Sequence, residues 1–148
     1  MTVVRLPSWG EVLRGPWALR LRSGGTGAWL MRSEADAVPE LECRWLDGRA
    51  ARTTVGALEE LGQAFQLEVP LGGFSDLPDA VAGDDTIALL VLDAERLLSD
   101  EPEALAGLVG ALREASDRLA LHVIFQARDL TPDAEAVLTE FGVAEIAA

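Results

Sequence analysis

The side chains that could carry out chemistry are few, and their spacing matches no common catalytic site. His122 is the only histidine and Cys43 the only cysteine. A Ser-His-Asp or Cys-His site would have to use His122, which lies within an apolar run typical of a buried strand. We therefore interpret His122 as a core residue, and the sequence predicts a protein without catalytic activity.

Other partial motifs are also incomplete. The run Gly73-Phe74-Ser75-Asp76 lacks the closing glycine of a nucleophile elbow. The glycine cluster at residues 23–27 suggests a phosphate-binding loop, but no Lys-Ser/Thr pair follows and the pattern there does not predict a helix. Asp84-Asp85 and Asp93 resemble the acidic pocket of phospho-accepting receiver domains, whose chemistry needs a lysine. This chain contains no lysine, so we interpret Asp93 as a strand-end residue facing solvent and predict no metal or cofactor.

The first 40 residues are predicted to form an arm. Ser8 and Glu11 have the spacing of a capping box, which predicts a short helix over residues 9–14. Alternating apolar residues over 17–22, then the glycine cluster and the apolar residues 28–31, predict a β-hairpin. Residues 32–40 are expected to form a linker.

Residues 41–148 are predicted to form the main domain. Strands alternating with helices predict a parallel sheet with right-handed crossovers. We expect a small three-layer α/β domain with about three central strands flanked by helices. The predicted elements are strands over 41–46, 86–92 and 119–125, helices over 55–66, from Asp100 through Leu112 and from Thr131 to Phe141, and a short terminal strand over 143–146.

Two of these helices carry detailed predictions. In the helix over 55–66, one stripe is expected to face the core, formed by Val55, Leu58, Leu61 and Phe65. Asp100 and Glu103 have capping-box spacing, which predicts that Asp100 caps the next helix.

The charge of the chain favours some partners over others. The net charge is −13, and the part after residue 33 carries nearly all of the acids. Such a surface repels nucleic acid and anionic membranes and attracts a basic partner. A single cysteine permits no intrachain disulfide, and no run reaches the length of a secretion signal or membrane span, so we expect a cytoplasmic protein.

Residues 67–85 are the least regular part of the main domain. This stretch contains two prolines, the Gly72-Gly73 pair and four aspartates. It follows a predicted helix and precedes a predicted buried strand. Exposed segments held at both ends by regular structure often carry recognition residues, so we expect a binding surface here.

Several short motifs follow one another along the main domain. In chain order they are Leu46-Asp47-Gly48, Arg52-Thr53, the helix through Leu61 to Phe65, the Gly72 loop, Leu89-Leu90-Val91-Leu92 followed by an acid, and Arg113-Glu114-Ala115. Together these motifs resemble the barstar family over residues 41 to about 126. Barstar-like proteins are intracellular inhibitors of secreted guanyl-specific ribonucleases. The resemblance implies that an acidic loop and short helix fill the phosphate-binding cleft of the ribonuclease.

The resemblance also implies which residues bind the partner. Most lie in the stretch 67–85, and one lies on the later helix: they are Leu71, Gly72, Phe74, Asp76, Asp79, Gly83, Asp84 and Glu114. The chain departs from the family at Pro70-Leu71 and Phe74, where aromatic and asparagine residues are usual.

The sequence therefore predicts a protein, monomeric when unbound, that inhibits a basic ribonuclease. The alternative is a barstar-fold interaction, regulatory or immunity protein with a different partner, and a third hypothesis is an enzyme that uses its carboxylates. No nucleic-acid or membrane partner is expected.

Overall fold

A computed structural model describes residues 8–23 and 25–145 of the protein. Within these residues the chain alternates between helices and strands. In chain order the elements are α1 (Trp9–Arg14), β1 (Ala18–Leu21), α2 (Gly25–Ala35), β2 (Leu41–Asp47), α3 (Thr54–Ala64), α4 (Leu77–Ala80), β3 (Thr86–Leu92), α5 (Leu105–Ala115), β4 (Ala120–Gln126), α6 (Pro132–Glu140) and β5 (Ala144–Glu145). None of the helices in this part of the chain has the length and apolar character that a membrane crossing requires.

The strands form one sheet in the order β2-β3-β4-β1-β5, and all pairs are parallel. β3 is buried on both faces, which explains its unbroken run of apolar residues. The predicted α/β class is confirmed. The predicted number of about three strands is too low, because β1 and the two-residue β5 join the same sheet.

The predicted N-terminal hairpin is wrong. β1 does lie within residues 17–22, but it pairs with β4 and β5 instead of with residues 28–31. Residues 25–35 form helix α2, so the predicted linker begins inside a helix. Burial of Met31 and Ala35 against the sheet stabilises α2, and this outweighs a cost of about 1 kcal/mol for each glycine in a helix. The division at residue 40 stays a prediction.

Helices cover both faces of the sheet. α1 and α2 pack on one face, where Trp9, Met31 and Leu90 are buried. α3, α4, α5 and α6 pack on the other face, and the buried residues there include Leu61, Leu77, Leu108, Leu112 and Leu138. The connection from β1 to β2 therefore crosses one face, and the later connections cross the other.

The cap predicted at Ser8 is confirmed, and Thr53 and Thr131 cap two further helices. The hydroxyls of Ser8, Thr53 and Thr131 each accept a backbone N–H from the first turn of their helices. The cap predicted at Asp100 is wrong, because its carboxylate pairs with Arg52 at 3.2 Å. A 3₁₀ turn precedes α5 instead.

Candidate functional site

The carboxyl ends of β4 and β1 are the first place to look for a ligand site. These neighbouring strands lead into α6 and α2, which lie on opposite faces of the sheet. In open parallel sheets, ligands bind in the crevice at such a switch in topology. We call this region, formed by residues 23, 47–49, 93–94 and 126, the carboxyl edge.

Gln126 fills the crevice at the carboxyl edge. This last residue of β4 is 1% exposed. Its Nε2 donates to the Ser23 carbonyl oxygen at 2.5 Å, and its Oε1 accepts the Asp93 N–H at 2.9 Å. Gln126 thus ties together the segments that follow β1 and β3, at the end of the sheet where parallel α/β folds commonly bind ligands.

The neighbouring end of β2 is closed by backbone packing. A Cβ on Gly48 would lie 2.2 Å from the Asp93 carbonyl oxygen, which only glycine permits. Asp93 has a φ of 49°, and its carboxylate lies 3.4 Å from Arg49 Nε. The prediction that Asp93 faces solvent is only partly correct, since its side chain is 33% exposed and paired with Arg49.

The glycine cluster at residues 23–27 lies where a strand leads into a helix, as a phosphate-binding loop does. A strand precedes it and α2 begins at Gly25, so the prediction that no helix begins there is wrong. The phosphate-binding loop of nucleotide-binding proteins also needs a lysine that reaches the phosphates. The chain has no lysine, and Gly24 lies outside the described residues.

The predicted acidic site has two aspartates engaged within the chain. Asp76 Oδ2 accepts the N–H groups of Gly72 and Gly73 at 3.1 and 3.2 Å. Asp79 Oδ1 lies 2.8 Å from Nη1 of Arg118. Asp76 therefore fixes the local turn, and Asp79 joins α4 to the end of α5.

The other predicted site residues divide between packing and exposure. Leu71 and Phe74 pack against the core, and the Phe74 ring lies over Gly107 of α5. Gly83 donates its N–H to the Arg118 carbonyl at 3.4 Å. Asp84 and Glu114 are exposed. The structure thus gives Phe74 a role in folding, and partner binding by these eight residues stays a prediction.

An open, largely apolar groove of about 730 Å³ runs along α3. One wall is α3, and the other is the chain that returns beside it. Val55 is 66% exposed and Val69 is 76% exposed. We call this feature the α3 groove; its lining residues are Val55, Leu58, Glu59, Gly62, Gln63 and residues 66–71.

The sequence prediction missed the α3 groove because it placed Val55 in the core. The fully buried stripe of α3 is Ala57, Leu61 and Ala64, and Val55 lies outside it. α3 therefore carries more apolar residues than its contact with the sheet can bury. This excess is the feature of the sequence that could have indicated an exposed apolar groove. At its end, Gln66 adopts a φ of 54° and Leu67 donates to Gly62 at 2.8 Å. This Schellman-type turn brings the following residues back along the helix.

No family model matches the chain, and no curated protein matches its sequence. Its α/β fold is similar to the crystal structure of Cdc6p from Pyrobaculum aerophilum, with a TM-score of 0.59 and 20% identity. The match covers 93% of this chain but 41% of the Cdc6p chain, so this chain spans less than half of that protein. At this identity the likeness concerns the fold alone.

The barstar resemblance is corrected by these comparisons, which give no match to that family. The motifs that carried it are strand ends, a helix cap and helix turns. Such features recur wherever strands and helices alternate in a parallel sheet, because the same local physics forms them.

Proposed function

We propose that the chain is a non-catalytic binding protein whose partner is a basic protein. The observation that carries the proposal is the distribution of ion pairs on its surface. Arginines in several elements are paired with carboxylates of the same chain: Arg20, Arg22, Arg44, Arg49, Arg52, Arg113 and Arg118. These guanidinium groups are already engaged and offer little to a phosphate backbone.

The surplus acids have a different environment. Glu59, Glu68, Asp84 and Asp85 are exposed, and none of them forms an ion pair with another described residue. A net charge of −13 carried by such side chains steers a basic protein toward the surface and speeds association.

The carboxyl edge supports the non-catalytic part of the proposal. The Gln126 side chain there forms hydrogen bonds with the Ser23 carbonyl at 2.5 Å and with the Asp93 N–H at 2.9 Å. A small ligand would have to break these bonds before it could enter the crevice, and buried polar groups left unpaired cost about 1–3 kcal/mol each.

The narrower hypothesis, inhibition of a basic ribonuclease by the acidic stretch, is a special case of this proposal. We place it second, because the family resemblance that motivated it is overturned. In addition, Asp79 already pairs with Arg118, so a ribonuclease would have to displace that arginine.

A capture experiment followed by reconstitution tests the proposal. The chain is immobilised, partners from the source organism's lysate and culture supernatant are identified by mass, and each purified candidate is titrated calorimetrically. We expect a basic protein whose affinity falls at least about tenfold between about 50 and about 200 mM salt. A neutral or acidic partner with salt-independent affinity, or saturable binding of Mg-ATP, would refute the proposal.

A further inference from the structure

We infer that the α3 groove binds an amphipathic helix of the partner, with an apolar face toward the groove and lysine or arginine at its borders. This inference rests on the proposed function and names both the surface and the form of the partner. It does not involve the carboxyl edge, and the α3 groove shares only Leu71 with the predicted partner-binding residues.

The apolar surface is concentrated in the groove. Three large apolar side chains are strongly exposed in the described part of the chain: Leu30, Val55 and Val69. Two of them line the α3 groove, on its opposite walls. Exposed apolar side chains that converge on one concave surface indicate a binding site, whereas a single exposed residue such as Leu30 needs no explanation.

The dimensions of the groove fit a helix. Val55, Leu58 and Gly62 follow one another every three or four residues, so one stripe of α3 forms a wall, and Gln66 continues that wall beyond the end of the helix. With 11 residues, α3 is about 17 Å long, which is the length of about three turns of a bound helix. A bound helix satisfies its own backbone hydrogen bonds and needs only side-chain contacts from its partner. The residues that line the groove offer mainly side-chain contacts.

Gly62 marks the place where a partner side chain can enter. A Cβ built on Gly62 would meet no other atom within 4 Å. Glycine in the interior of a helix is unfavourable, so its presence here leaves space over the helix backbone that nothing in the described chain fills. A leucine or phenylalanine of the partner fits this position.

The charges around the groove favour a basic helix. Glu59 and Glu68 line it, and no lining residue is basic. A more polar depression adjoins it at Gln66 and Leu67. Within that depression Arg44 pairs with Glu42, so its net negative charge comes from Asp85. A second copy of this chain also carries −13 and would be repelled, so we commit to a basic partner.

The test uses a fluorescent amphipathic peptide of leucine and lysine, about 14 residues long, which is long enough to form a helix on binding. Anisotropy is measured with the intact chain and two groove variants, Gly62→Phe and Val69→Asn. The matched control is Leu30→Asn, which makes the same kind of change on α2, on the opposite face of the sheet. We expect Gly62→Phe to weaken binding at least about tenfold and Val69→Asn at least about threefold, with Leu30→Asn within about twofold.

Charge is tested separately. Glu59→Gln with Glu68→Gln is expected to weaken peptide binding at least about threefold, and the control pair Glu103→Gln with Glu140→Gln to change it less than about twofold. Since Val69 is exposed, its substitution keeps the test valid even if Gly62→Phe fails to fold.

Several outcomes would overturn the inference. One is equal weakening by the groove and control variants, which would indicate nonspecific attraction to an acidic surface. Another is self-association of the chain that Gly62→Phe abolishes, which would make a second copy the occupant. If the captured basic protein binds all groove variants as it binds the intact chain, the location is wrong while the proposed function stands. If no basic protein binds, the proposed function itself fails.

Discussion

The carboxyl edge and the α3 groove are opposite in almost every physical respect. At the carboxyl edge, a buried glutamine bridges two backbone segments, and Gly48 touches the Asp93 carbonyl. In the α3 groove, two valines are more than half exposed and Gly62 faces open space. The first region is where parallel α/β sheets usually bind ligands, and the second is formed by one helix and the chain after it.

The difference shows that the end of the sheet where ligands usually bind and the most exposed apolar side chains lie in separate parts of the described structure. The strand order provides the usual crevice, but the side chains that fill it serve folding. The α3 groove, outside the sheet, is lined by two exposed valines and two glutamates. Function therefore has to be argued from the groups exposed at each site, because one fold can carry different functions.

The same substitution in the two regions should have opposite effects. Gly48→Ala places a methyl group 2.2 Å from the Asp93 carbonyl oxygen, so we expect a loss of about 3 kcal/mol or more in unfolding free energy. Gly62→Ala meets no atom within 4 Å and should stabilise α3 by about 0.5–1 kcal/mol. Urea denaturation measures both. Equal effects would show that the two regions do not differ in packing.

Gln126→Ala tests the bridge at the carboxyl edge. The change removes the hydrogen bonds that the Asp93 N–H and the Ser23 carbonyl form with Gln126 and opens a small void. We expect a loss of about 2–4 kcal/mol by chemical denaturation.

Gln63→Ala is the control for this prediction, since Gln63 is an exposed residue of the α3 groove. Its effect should stay within about 0.5 kcal/mol. A mild effect of Gln126→Ala, similar to that of Gln63→Ala, would mean that the crevice is not held closed by this side chain.

A smaller effect is expected from pH, through His122 on the same strand as Gln126. Burial lowers the pKa of His122 below 6.5, and a hydrogen bond with the Pro16 backbone opposes this shift. His122 then binds a proton more readily in the unfolded chain than in the folded chain. Its contribution to stability is therefore fully present above pH 6.5 and is lost as the pH falls below 6.5. Subtracting the pH profile of His122→Gln isolates this contribution from the carboxylates. A stability difference that grows in favour of the intact chain at lower pH would contradict the sign.

The smallest effect should come from the ion pair at the predicted acidic site. Asp79 and Arg118 lie 2.8 Å apart, but their side chains are 80% and 52% exposed. Exposed pairs contribute about 0–1 kcal/mol, so Asp79→Asn should change the unfolding free energy by less than about 1 kcal/mol. Thermal unfolding at low and high salt checks this value. A loss well above it would give Asp79 a structural role that excludes it from partner binding.

The central elements could be predicted because their signals are local. β3 is an unbroken apolar run, and Leu105, Leu108 and Leu112 of α5 recur at helical spacing. β1 joins the sheet by pairing Ala18 with Val123 far along the chain, which no local pattern reveals. Helix α2 was not predicted because glycines at its start disfavour a helix locally. Burial of Met31 against the sheet, a tertiary contact, stabilises it.

The sites were harder to predict than the fold. A single glutamine at the end of an apolar strand gives no pattern, so the role of Gln126 becomes visible only when Ser23 and Asp93 are placed beside it. The packing of the Phe74 ring over α5 was likewise not predicted, and its role in partner binding stays a prediction. An apolar side chain is buried in the core only if another element of the fold packs over it. The spacing of residues in the sequence does not show which elements pack over a given helix face.

One titration compares the two regions directly. Backbone amide chemical shifts of the ¹⁵N-labelled chain are recorded with the leucine–lysine peptide and, separately, with Mg-ATP. We predict that the peptide shifts the resonances of residues 54–71 and leaves those of Asp93 and Gln126 unchanged, and that Mg-ATP produces no saturable shift in either region. Saturable shifts at Asp93 and Gln126 with Mg-ATP, together with an unperturbed α3, would contradict the account.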